Sequence, residues 1–163
     1  EIADVQAVLE KNEGVPFPLR HSNTSTPNLK FENSTDYFVY LVSNDILPVN
    51  WSYFSGANIV SAPGKFDSGN LVATQNFKAE NNAWSVVADL NIEDSEVPFL
   101  ITRNLQTDRL RITSKKPILE GPPYDDKRLV VIRIGGSGEV LRKRDIRWGN
   151  INPTDAQNLI LRP

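Results

Sequence analysis

Leu129-Val130-Val131-Ile132-Arg133-Ile134-Gly135-Gly136-Ser137-Gly138-Glu139-Val140-Leu141 is the stretch that decides the fold class. A run rich in β-branched residues and a second, shorter run around Val140 and Leu141 flank four small residues, which is typical of a β-hairpin because glycine supplies the positive φ of tight turns. A phosphate-binding loop would need a helix directly after the glycines. Here the chain continues as a strand, so we predict strands over 129–134 and 139–142.

Three upstream segments also have strand patterns. Trp84 to Leu90 alternates in part between apolar and polar residues, and we expect it to pair with Phe99-Leu100-Ile101 across the polar turn 91–96. Leu110 and Ile112 alternate with arginines, which predicts a strand with one face in water. The segments 50–69 and 115–127, rich in glycine or proline, are predicted to be irregular.

Two segments favour helices and one of them is ambiguous. Ser34 or Asn33 can cap a helix whose apolar face would comprise Phe38, Leu41, Val42 and Ile46. The same run is rich in aromatic and β-branched residues, so a strand is the alternative. We favour the helix, with a left-handed stop at Asn44-Asp45. Asn152-Pro153-Thr154 predicts the start of a second helix that reaches Ile160.

The start of the chain predicts another amphipathic helix, and Leu71-Val72-Ala73 predicts a short strand. The apolar stripe of that helix consists of Ile2, Val5, Val8 and Leu9. The chain lacks methionine and opens at Glu1 inside this helix, which indicates a processed or trimmed fragment. We therefore expect one domain over 1–163, in which 1–13 are the remnant of an N-terminal helix and 14–163 form a globular head.

Composition excludes several classes of protein. The 163 residues are 39% hydrophobic and 23% charged, as expected for one globular domain. A formal net charge of -2 gives no argument for nucleic acid as a partner. There is no cysteine, which removes disulfides and thiolate metal sites. No apolar run approaches the roughly 18 residues that span a bilayer.

Few residues suggest catalysis or a cofactor. His21 is the sole histidine and lies in a polar loop, and no serine lies in a Gly-x-Ser-x-Gly elbow. The acidic clusters 93–96 and 125–126 lack the EF-hand spacing for calcium. The basic run 142–144 is followed by Asp145 and is interpreted as an exposed strand end. We expect no enzyme activity, no cofactor and no metal.

The order of these segments resembles the soluble domain of type IV pilin-like proteins and type II secretion pseudopilins. An asparagine-rich approach to a tryptophan, a Pro-Phe-Leu-Ile strand and a closing hairpin with a Gly-Gly-Ser turn carry the resemblance. The matching positions are Asn82, Trp84, Pro98, Phe99, Leu100, Val131, Gly136, Ser137 and Val140.

The resemblance implies a structural subunit of a pilus or secretion pseudopilus filament that acts by packing. Its fold would be α+β, with the N-terminal helix packed on an antiparallel sheet. Partners would be other pilin or pseudopilin subunits, the assembly machinery and the inner membrane, which a missing apolar helix would enter. The protein would lie in the cell envelope with a periplasmic head, or outside the cell in a pilus. The alternative is a secreted immunoglobulin-like β-sandwich with short helices that binds glycan or host protein.

Overall fold

The computed structural model describes residues 31–44, 46–47, 49–62, 77–90 and 93–163. Two helices, α1 (Ser34–Ser43) and α2 (Trp148–Ile151), lie among these residues. The strands are β1 (Trp84–Val87), β2 (Pro98–Thr102), β3 (Arg128–Arg133), β4 (Gly138–Arg142) and β5 (Ile160–Leu161). Single turns of 3-10 helix occupy Trp51–Phe54, Ala79–Asn81 and Lys143–Asp145.

The five strands form one antiparallel sheet in the order β4-β3-β2-β1-β5. The described part of the chain is therefore a sheet-rich α+β fold, with one sheet rather than the two of a β-sandwich. β1 pairs with β2 as predicted, although it ends at Val87 and not at Leu90. Its other neighbour is β5, through Val86 opposite Leu161 and Val87 opposite Ile160.

The hairpin prediction is confirmed. β3 and β4 pair from Arg128 opposite Arg142 to Ile132 opposite Gly138. Gly136 has φ of 91°, which is the left-handed conformation that the sequence pattern predicted. At Gly135 a Cβ would lie 3.0 Å from the Cβ of Ser95, so the close approach of the two turns requires glycine. The Gly135 N–H also donates to the Ser95 carbonyl at 3.0 Å.

Helix α1 is confirmed over the strand alternative. The Asn33 side chain caps it by accepting a hydrogen bond from the Asp36 N–H at 2.8 Å. The predicted left-handed stop is wrong at Asn44, which has φ of −101°, while Asp45 lies outside the described residues. The helix instead ends where the backbone and side-chain N–H groups of Asn44 both donate to the Tyr40 carbonyl.

Two other predictions are wrong. Residues 154–160 form no helix, because Asn152 Oδ1 accepts from both the N–H and the hydroxyl of Thr154, and β5 then pairs with β1. Tertiary pairing here overrides a helix-start signal. Leu110 and Ile112 form no strand beyond a bridge of Arg109 with Leu159. Leu110 is fully buried whereas Ile112 is 59% exposed, so the two do not share a buried face.

Some predictions fall outside the described residues. They are the helix stripe Ile2, Val5, Val8 and Leu9, the loop residue His21, and the strand Leu71-Val72-Ala73.

Candidate functional site

An apolar groove of about 410 Å³ lies on the side of the sheet that carries α1. One wall is α1 with the turn Trp51–Phe54, and the floor is formed by β2, β3 and β4. The apolar lining includes Leu41, Phe54, Leu100, Val130, Ile132 and Val140.

Strand alternation explains the apolar floor. Leu100 lies opposite Ile132, and Val130 lies opposite Val140, so side chains of three strands project to the same face. Their burial decreases towards the sheet edge, from 6% exposed at Ile132 to 61% exposed at Val140. The groove is therefore closed at its centre and open along β4.

The helical wall of the groove is a cluster of aromatic rings. Phe38 of α1 stacks on Phe54 with ring centroids 4.4 Å apart, and Trp51 stacks on Phe77 at 4.7 Å. Tyr37 is 2% exposed, and burial raises the pKa of its phenol well above the usual range, with a smaller contribution from Tyr40. Rings packed this closely make the wall rigid.

A buried polar cluster fixes α1 against β1. The Asn82 side chain donates to the hydroxyls of Ser34 and Thr35, at 3.0 and 3.2 Å, and accepts from the Trp84 N–H at 3.0 Å. Ser34 in turn donates to the Trp84 carbonyl at 2.7 Å. Three of these four contacts join the start of α1 to the approach to β1, so the cluster sets the position of the helical wall above the floor.

The sequence-predicted motif residues divide between the groove and other places. Trp84, Phe99, Leu100 and Val140 line the groove. Asn82 anchors α1, while Pro98 begins β2 opposite Arg133 and Gly136 and Ser137 form the hairpin turn. Val131 lies opposite Ile101 and is fully buried on the other face of the sheet.

The opposite face carries a residue that the sequence reasoning missed. Arg133 is 4% exposed, and its guanidinium donates to the carbonyls of Glu96, Asn150 and Ile151 at 2.8 to 3.0 Å. Glu139 lies 3.4 Å from its Nε. A charged residue inside the apolar run 129–134 was the available signal, because such a residue is buried only when it is paired. Arg133 ties α2 to the sheet and does not contact the groove.

The groove offers shape rather than reactive groups. Its polar lining includes Ser52, Ser55 and Glu139, with no histidine or cysteine. Throughout the part of the chain that the structure describes, no three histidine, cysteine or acidic side chains are placed to hold a metal ion. No helix in that part is long and apolar enough to cross a bilayer.

Comparison with known proteins found no matching family model, no matching curated protein and no matching solved structure. The groove and the residues around it are therefore the features from which a function can be inferred.

Proposed function

We propose that this chain is the head of a filament subunit of the pilin or pseudopilin type, which acts by packing. In this proposal the N-terminal stripe Ile2, Val5, Val8 and Leu9 lies in the groove. The observation that carries it is the groove itself, an apolar channel that is left open beside α1 along the edge strand β4. An open apolar surface rimmed by polar residues marks an interaction site.

The dimensions support a helix as the occupant. The floor extends from β2 to β4, which is two strand spacings or about 10 Å. A helix with its side chains is about 10–12 Å across. Residues 10–30 can span about 70 Å when extended, so the stripe can reach the groove from Phe31.

The function is tested with the full-length protein and its native N-terminus, co-expressed with a prepilin peptidase. We expect cleavage of a leader and recovery of the protein in the sheared filament fraction. A product that stays soluble and uncleaved overturns the proposal, and saturable binding of that monomer on a glycan or receptor array would favour the adhesion module.

The packing of the stripe can be tested separately by disulfide cross-linking. The chain contains no cysteine, so an introduced pair has no competing thiol. The double variant Val5→Cys with Val140→Cys should form an intramolecular disulfide under mild oxidation, seen as faster migration on a non-reducing gel. The matched control pairs Val5→Cys with Val60→Cys, since Val60 is 77% exposed and does not line the groove. Equal cross-linking in both variants would contradict the packing of the stripe in the groove.

A further inference from the structure

A basic surface lies on the far edge of the sheet from β4. The segment 109–118 has four cations and no acidic residue, and it also exposes two large apolar side chains, with Ile112 59% and Ile118 68% exposed. We name this the basic patch: Arg109, Arg111, Ile112, Lys115, Lys116 and Ile118. These residues border a cleft of about 590 Å³.

The four cations of the basic patch form no ion pair within the described residues, although Asp108 and Glu120 flank the segment. Arg109 donates to the Gln157 carbonyl and Arg111 to the Thr107 hydroxyl, both neutral groups. The other basic run differs, because Lys143 lies 2.9 Å from Asp126 and Arg144 lies 3.8 Å from Asp145. The basic patch is thus the better candidate for an acidic partner.

An acidic surface lies around the turn before β2 and on β4. Asp94 and Glu96 are exposed in the turn before β2, and Glu139 is exposed on β4. Arg133 connects them, since it donates to the Glu96 carbonyl and lies 3.4 Å from the Glu139 carboxylate. We name Asp94, Glu96 and Glu139 the acidic patch. The buried Arg133 offsets part of its charge, which leaves Asp94 and Glu96 as its exposed anions.

The two patches are too far apart to neutralise each other. Asp94 and Glu96 precede β2 and Arg109 bridges to Leu159 beside β5, so about three strand spacings, or about 14 Å, separate these anions from the basic patch across the sheet. Salt at physiological strength screens exposed charges beyond about 8 Å.

We propose that the basic patch of one copy docks on the acidic patch of the next. This inference rests on the proposed filament function. Because the two patches are different surfaces, the contact is heterologous and repeats without closing into a dimer, as a filament requires.

A charge swap tests this contact in the full-length protein. Lys115→Glu with Lys116→Glu, and separately Asp94→Lys with Glu96→Lys, should each lower the yield of sheared filaments by about tenfold or more. The variant that combines all four substitutions should recover most of the yield. All four positions are exposed, and thermal unfolding of each variant checks that the head still folds.

The outcomes separate this inference from the function on which it rests. If the wild-type protein forms no filaments, the proposed function fails. If wild-type filaments form and both charge-reversed variants match their yield, or the combined variant recovers nothing, the docking contact is wrong and the function stands. Loss of binding to phosphatidylglycerol vesicles in the Lys115→Glu, Lys116→Glu variant, with normal filaments, would assign the basic patch to a lipid surface instead.

Discussion

The helix side of the sheet has two halves that are covered very differently. Beside α1 the packed rings of Trp51, Phe54 and Phe77 are at most 5% exposed, and Val86 of β1 is fully buried. Over β3 and β4 the floor opens to solvent until Val140 is 61% exposed. We name these the closed half and the open half. The closed half is a completed core, whereas the open half has the apolar floor of a core that no other part of the described chain covers.

Trp51→Ala is expected to cause the largest loss of stability. A small loss would contradict the distinction between the closed half and the open half. The side chain is 1% exposed and stacks on Phe77, so its removal leaves a cavity that costs about 3–5 kcal/mol. Urea unfolding of the 163-residue chain measures this cost. Val60→Ala, at a site 77% exposed, is the matched control and should stay within about 0.5 kcal/mol. Similar losses in the two variants would mean that the closed half is not a packed core.

Asn82→Ala tests whether the closed half depends on its polar anchor. The substitution leaves the Trp84 N–H and two hydroxyls without their partner in a fully buried site, which costs about 1–3 kcal/mol. Chemical denaturation measures the loss. Asn44→Ala removes an amide that donates at 2.8 Å in an exposed position, and its cost should be clearly smaller. An Asn82→Ala variant as stable as Asn44→Ala would show that α1 is held by its rings alone.

Burial of Tyr37 in the closed half makes the free energy of unfolding depend on pH. In the unfolded chain its phenol ionises near pH 10.0, whereas burial keeps it neutral to higher pH in the folded chain. The unfolded state therefore binds fewer protons above about pH 10, and the free energy of unfolding falls by up to about 1.4 kcal/mol per pH unit. Tyr37→Phe should flatten this fall when unfolding is followed from pH 9 to 11. Val60→Ala, at a site 77% exposed and without a titratable group, is the control that should leave the fall unchanged.

Val140→Ala tests whether the N-terminal stripe covers the open half, and it has the smallest expected effect on stability. If the N-terminal stripe covers Val140, the lost side-chain atoms cost about 1 kcal/mol in the 163-residue chain. The same substitution should cost almost nothing when Val5→Ser and Val8→Ser are also present. A double-mutant cycle by urea unfolding measures the coupling, and purely additive losses would argue that the stripe does not occupy the groove.

The sequence predicted correctly the elements whose conformation depends mainly on residues close together in the chain. The β3–β4 hairpin follows from its glycines, and α1 follows from its Asn33 cap and apolar spacing. The two-residue strand β5 was not predictable in this way, because it has no period of its own and exists through pairing with β1. The strand predicted at Leu110 and Ile112 was wrong for a related reason. The burial of Leu110 depends on the path of the long segment between β2 and β3, which short-range sequence patterns do not reveal.

The candidate site was predictable only in part. Trp84, Phe99, Leu100 and Val140 were singled out through a family resemblance, and the structure places all four around one groove. That the groove is open could not be read from their identity, because it depends on how far α1 reaches across the sheet. The stack of Phe38 on Phe54 and the carbonyl contacts of Arg133 join segments distant in sequence, so only the tertiary structure reveals them.

The position of β5 constrains the order in which this fold can form. β1 receives its second neighbour from residues that are synthesised after β2, β3 and β4, and the Arg162 carbonyl then accepts the Ser34 N–H at the start of α1. Until residues 160–162 have left the ribosome, β1 has an unpaired edge and the first turn of α1 lacks that contact. The sheet therefore closes late, after the other four strands have been synthesised.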